Sequence, residues 1–142
     1  MQEASESDEG QEVSEPDDQP IVELASDRDL ARAVGPTLDI LFDGRVQQKV
    51  DLGRGTAGFE AINRAEHLTL IEVKAGTADE SRVATVLERL RRYREYRGPH
   101  VYAILIAKDF TPGALDATHT GDGLELQSYQ VTLSLGAPRL AT

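Results

Sequence analysis

The chain has 142 residues, no cysteine and a formal net charge of -10. That length fits one domain with a modest core, and the missing thiols exclude disulfides, a cysteine-ligated zinc site and a cysteine nucleophile. No apolar run approaches the roughly 20 residues of a membrane span, and the polar, acidic start is unlike a secretory signal, so a cytoplasmic protein without a membrane partner is expected.

Residues 1–20 hold eight acids and no Lys or Arg, whereas the rest of the chain holds 17 acids against 15 bases. Past the initial Met1, the only large apolar residue in the first stretch is Val13. It cannot bury enough surface to offset the cost of ordering, so 1–20 reads as a disordered acidic tail and 21–142 as one folded domain. Such a tail can solvate the protein, compete with nucleic acid for the protein's own cations as a self-inhibitor, or engage a basic partner.

In "IVELASDRDLARAV", 21–34, Ile21, Leu24, Leu30 and Val34 fall at near-helical spacing. Ser26 or Asp27 can cap a helix from about 27 to 34, and Gly35-Pro36 is expected to end it. Leu38, Ile40 and Phe42 then alternate with Asp39 and Asp43, which predicts a strand closed by an Asp43-Gly44 hairpin turn. "QQKVDL" is the expected return strand. The loop "GRGTAG" fits neither a P-loop nor a dinucleotide fingerprint. "GFEAIN" reads as a short strand, "RAEH" as a turn and "LTLIEVK", 68–74, as the strongest strand in the chain.

A helix is predicted over 79–96, with Val83, Val86, Leu87, Leu90 and Tyr93 on one stripe, Thr77 or Asp79 as cap and Gly98-Pro99 as stop. "VYAILIA", 101–107, is apolar on both faces, as a central strand should be. Thr111-Pro112 opens a short helix ending near Gly121. "LELQSYQVTLSL" is the closing strand and "GAPRLAT" a frayed end. The sum is an α/β domain with a mixed central sheet flanked by helices.

Alternation places Leu68, Leu70, Glu72 and Lys74 on one face of their strand. Glu60 lies twelve residues before Glu72, on the preceding strand, so a suitable register brings the two carboxylates together. Two carboxylates and a lysine suit metal-assisted phosphodiester hydrolysis. Mg²⁺ takes hard oxygen ligands, a metal polarises phosphate and helps to generate hydroxide, and an ammonium orients the water and offsets transition-state charge. The plainer alternative is a solvated surface ion pair, against which the apolar strand around Glu72 argues.

Six of the 15 bases, Arg82, Arg89, Arg91, Arg92, Arg94 and Arg97, fall within 16 residues. They suit phosphate contacts, or a solvated helix face laced with Glu88 and Glu95. Lys108 follows the central strand, where mixed sheets commonly place ligands; it reaches a nucleic-acid backbone or simply begins the next helix. His67, His100 and His119 show no metal-ligand spacing.

Glu72-Val73-Lys74 resembles the E-x-K half of the PD-(D/E)xK nuclease signature. Together with "GFEAINRAEHLTLIEVKAG", "TVLERLRRYREY", "YAILIAKDFTPGA" and "GLELQSYQV", it makes residues 58–131 similar to the restriction-endonuclease-like core, above all to the catalytic domain of the NucS/EndoMS mismatch endonuclease family. The resemblance implies a DNA endonuclease dependent on Mg²⁺ or Mn²⁺, with a place in DNA repair and a homodimeric state. Glu72 and the Val73 carbonyl would then bind metal, and Lys74 would be the catalytic lysine. The family's upstream aspartate falls on Glu60, with Asp51 and Asp39 as the candidates in another register. Arg82, Arg89, Arg92 and Lys108 would hold DNA, and Glu23 would be the acid on the first helix.

Three departures stand out. Glu60 replaces aspartate, Val86 or a neighbour replaces the glutamine of the following helix, and the family's DNA-binding and dimerising domain has no counterpart in these residues. They leave open a nuclease-like module that binds DNA or protein without cutting. An RNA-processing nuclease is a third reading.

Overall fold

The computed structural model describes residues 21, 23–49, 58–118, 123–133, 135 and 136, without the side chains of Gln48 and Lys49. The acidic segment 1–20, Asp51, most of "GRGTAG", His119, Gly121 and most of "GAPRLAT" lie outside the described residues. Two compact units divide the chain, Leu24–Tyr129 on one side and Met1–Glu23 with Gln130–Thr142 on the other. Within the second, Ile21 and Thr132 form an antiparallel bridge. Everything below concerns the first.

Helix α1 spans Asp27–Leu41. The Ser26 hydroxyl caps it by accepting a hydrogen bond from the Asp29 amide at 3.1 Å, and Asp27 and Asp29 place negative charge at the positive end of its dipole. The expected stop at Gly35-Pro36 does not occur: the helix runs through both residues and replaces the strand predicted around Leu38, Ile40 and Phe42. Leu30, Val34 and Leu38 stand four residues apart and form one stripe facing the core. Ile40, the middle member of the apparent alternation, is 77% exposed. Pro36 removes one helical hydrogen bond, and burial of Leu38 beyond it carries the helix on. Asp43-Gly44 is therefore the helix exit and not a hairpin turn. Both residues take positive φ, 56° and 76°, and the Gly44 amide returns to the Asp39 carbonyl at 2.7 Å.

Strands β1 (Val46–Lys49), β2 (Gly58–Ile62), β3 (Leu68–Ala78), β4 (Val101–Phe110) and β5 (Leu124–Ser128) form one sheet in the order β1-β2-β3-β4-β5. The first two pairings are antiparallel and the last two parallel. β5 ends at Ser128, well short of the predicted closing strand. β3 runs past the predicted Lys74, and its register against β4 shifts between Lys74 and Thr77. Helix α2 spans Glu80–Arg97, capped by the Asp79 carboxylate on the Arg82 amide at 3.0 Å and stopped at Gly98, whose φ is 93°. Helix α3 spans Pro112–Thr118, and the Thr111 hydroxyl caps it through the Ala114 amide. This mixed five-stranded sheet with helices on both sides is the predicted restriction-endonuclease-like architecture. Among the described residues, no helix is long and apolar enough to cross a membrane.

Each sheet face has its own core. Leu68, Leu70, Val101, Ala103, Leu105 and Ala107 pack on Val83, Val86 and Leu90 of α2 and Ala114 of α3. Phe59, Ala61, Ile71, Val73 and Ile106 pack on Leu30, Ala31 and Leu38 of α1. β3 is thus buried on both faces.

Asp27 joins α1 to the irregular part of β3. Its Oδ1 accepts from the Ala75 amide at 2.8 Å, and its Oδ2 lies 3.5 Å from Arg82 Nη2. Asp27→Ala should cost about 1–3 kcal/mol of stability in urea unfolding, the usual loss when a buried amide is left without its acceptor. Asp29→Ala, an exposed change in the same turn, should shift it by less than about 0.5 kcal/mol.

Candidate active site

The antiparallel register decides which residues meet. Gly58 pairs with Glu72, and Glu60 pairs with Leu70. Directly paired residues share a face, so Gly58, Glu60, Leu70, Glu72 and Lys74 all lie on the α2 side of the sheet. The structure therefore brings Glu60, Glu72 and Lys74 to one face. It does not set Glu60 opposite Glu72, which faces a residue without a side chain. Glu60 is its diagonal neighbour, a relation that spans about 7–8 Å between backbones.

Glu72 is completely buried. A carboxylate removed from water needs a compensating charge, and Arg89 of α2 supplies it through an ion pair from Nη1 to Oε2. Glu72 Oε1 has no hydrogen-bond partner among the described residues. The Val73 carbonyl accepts a hydrogen bond from Arg82 Nη2 at 3.0 Å. The side chains of Arg82 and Arg89 are only 19% and 14% exposed. Two of the arginines expected to hold DNA thus point inward.

Glu60 is partly buried and accepts a hydrogen bond from the Tyr93 hydroxyl at 2.9 Å. Burial holds the Tyr93 hydroxyl above its ordinary pKa, with the Glu60 hydrogen bond and charge acting the same way and Arg89 and Arg97 opposing them. Lys74 is partly buried and has no hydrogen bond or ion pair among the described residues.

On the outer side of α2, Arg91 bridges Glu88 and Glu95, and Arg92 pairs with Glu88 at 3.3 Å. These contacts are the solvated network that the sequence also allowed. Lys108 is exposed near the C-terminal end of β4. Asp39 is exposed on α1, across the sheet from Glu72. Val86 is core, at 0% exposure. Glu23 belongs to the other unit.

Asp27, Arg82 and Arg89 as internal partners, and Tyr93 as the donor to Glu60, were not singled out from the sequence. A signal was present for three of them. Arg82, Val86, Arg89 and Tyr93 follow each other at intervals of four, three and four residues, a single helix stripe.

As arranged here, the donors of the described residues do not fit a divalent cation. Among the described residues no cluster of three or more His, Asp or Glu side chains could hold a metal ion. Glu72 and the Val73 carbonyl are already met by guanidinium groups, Glu60 by a phenol, and the position facing Glu72 is glycine.

The sheet order, the E-x-K strand and the helix covering it define a nuclease-type fold. Solved structures of EndoMS/NucS-type repair endonucleases share this fold. EndoMS in its apo form superposes with a TM-score of 0.62 at 20% identity, covering 83% of this chain and 49% of that one. A repair endonuclease from Pyrococcus abyssi gives 0.61 at 18%, covering 75% and 47%. EndoMS in complex with double-stranded DNA gives 0.60 at 22%, covering 76% and 47%. The chain spans about half the length of these structures, and identities this low establish the fold alone. No protein-family model matches the chain, and no curated protein is significantly similar to it in sequence.

The Tyr93 contact has a pH signature. Because the folded-state pKa is raised, the folded protein keeps a proton that the unfolded chain releases as pH climbs past about 10, so stability falls with rising pH there. Urea unfolding from pH 8 to 11 should show this decline in the wild type and a shallower one in Tyr93→Phe.

Proposed function

We propose that this chain is a nuclease-fold domain that engages DNA in a repair setting without hydrolysing it on its own. The observation that carries the reading is the register: Gly58, not an acid, stands opposite Glu72. Phosphodiester hydrolysis on such a sheet needs carboxylates converging on one point, and here Glu60 is offset and hydrogen-bonded to Tyr93. The fold supports a DNA partner, because one neighbour of the same fold is a complex with double-stranded DNA. Lys74 and Lys108, toward the C-terminal ends of adjacent parallel strands, and Arg92 on the exposed face of α2 would be the cations that meet phosphates. In a chain of net charge -10 such binding is weak and salt-sensitive.

A second reading, a divalent-metal-dependent DNA endonuclease acting as a homodimer, is favoured by one observation. Among the described residues, Glu72 Oε1 has no hydrogen-bond partner and Lys74, on the same face, has no ionic partner. Under that reading Glu60, Glu72 and the Val73 carbonyl would hold Mg²⁺ or Mn²⁺, Lys74 would orient water, and Arg82 and Arg89 would have to leave their partners.

Incubating the protein with linear, mismatched, flap and branched DNA in Mg²⁺ or Mn²⁺ separates the two. No cutting is expected. Fluorescence anisotropy should show binding that weakens about tenfold or more from roughly 50 to 200 mM salt, with Lys108→Ala lowering the salt slope by about one. Metal-dependent cutting abolished by Glu72→Ala and Lys74→Ala establishes the endonuclease instead. Absence of any DNA binding removes both.

A further inference from the structure

Two groups on β3 face cationic partners of the same kind. The Glu72 carboxylate receives Arg89, and the adjacent Val73 carbonyl receives Arg82, which is itself fixed by Asp27. These are the two β3 oxygens that a nuclease of this fold is expected to offer a metal. Mg²⁺ retains several of its waters when bound, and a carboxylate with 0% exposure has no room beside it for them. A divalent ion at Glu72 would also sit within a few ångströms of a fixed guanidinium, where like charges repel strongly in a low dielectric.

We propose that Arg89 is a resident cation, its guanidinium standing beside Glu72 where a divalent metal would bind, with Arg82 closing the Val73 carbonyl. The junction of β3 and α2 is then assembled without metal, and the wild type has no divalent-ion site there. The inference deepens the non-hydrolytic reading and uses the same residues. Its own content is that Arg89 excludes the ion: a neutral side chain at position 89 opens Glu72 to metal, and a different cation at that position does not.

The test is metal binding, not activity. Mn²⁺ titration followed by electron paramagnetic resonance, and thermal unfolding with and without about 10 mM Mn²⁺, are run on the whole chain. Wild type should bind no Mn²⁺ at Glu72 and show no Tm shift. Arg89→Gln should bind one Mn²⁺ and gain about 5 °C of Tm with it. Adding Glu72→Gln should abolish that gain. Arg89→Lys, which keeps a cation, should stay unresponsive like the wild type, which a purely steric role for Arg89 does not predict.

Wild-type Mn²⁺ binding that Glu72→Gln removes overturns the inference, as does a folded Arg89→Gln that ignores Mn²⁺. Should Arg89→Gln fail to fold in either condition, the wild-type titration decides. A wild type that binds Mn²⁺ at Glu72 yet never cuts DNA overturns the resident cation and spares the non-hydrolytic reading. One that binds neither Mn²⁺ nor DNA does the reverse.

Discussion

A carboxylate in the middle of a sheet, with no access to water, must find a positive partner or lose its charge. Glu72 finds Arg89, and much of the domain is arranged so that it can. Arg89 must face the sheet, which sets the rotation of α2 about its axis. That rotation lays Val86 and Leu90 onto the apolar face of β3 and β4, and it brings Tyr93, one turn further on, to Glu60. A buried ion pair of this kind contributes little net stability over well-packed apolar groups, but breaking it leaves an uncompensated buried charge. Its effect is on which arrangement is allowed more than on how stable that arrangement is.

The same logic extends to the other face of the sheet. Asp27, at the start of α1, holds the Ala75 amide and steadies Arg82, which reaches the Val73 carbonyl from α2. The Tyr129 hydroxyl, just after β5, donates to the Ala75 carbonyl. Helix α1, the irregular stretch of β3, helix α2 and the chain beyond β5 are thereby tied at the level of Val73–Ala75. In a nuclease this is where an ion and a scissile phosphate would meet. Here guanidinium groups already meet Glu72 Oε2 and the Val73 carbonyl, and Lys74 is the charged group of β3 left without an ionic partner among the described residues.

The strong elements were legible because their patterns are local. The stripe of α2 with its Asp79 cap, the apolar run of β4, the Thr111-Pro112 start of α3 and the E-x-K strand all follow from spacing and capping chemistry. α1 was misjudged in its second half. Pro36 looked like a stop and Leu38-Ile40-Phe42 like a strand, and only the burial of Leu38 with Leu30 selects the helix.

The site was half legible. Glu72 and Lys74 share a face as alternation requires, but register is set by a turn, and Asn63 builds that turn. Its side-chain oxygen accepts from the amides of Ala65 and His67, both at 2.9 Å, and Glu66 takes a φ of 67°. That turn aligns Ile62 with Leu68 and therefore Gly58 with Glu72. Nothing in the spacing of Glu60 and Glu72 reveals it. The arginine cluster divides by direction. Arg91 and Arg92 mesh outward with Glu88 and Glu95, whereas Arg82 and Arg89 turn inward on the stripe of Val86 and Tyr93.

The central claim is that Glu72 and Arg89 are energetically one unit. A double-mutant cycle with Glu72→Gln, Arg89→Gln and the double variant, read by urea unfolding at neutral pH, measures that directly. The single changes should each be strongly destabilising, and the double should recover a coupling of about 2–3 kcal/mol because it strands no charge. Losses that simply add, with a coupling near zero, would contradict the claim.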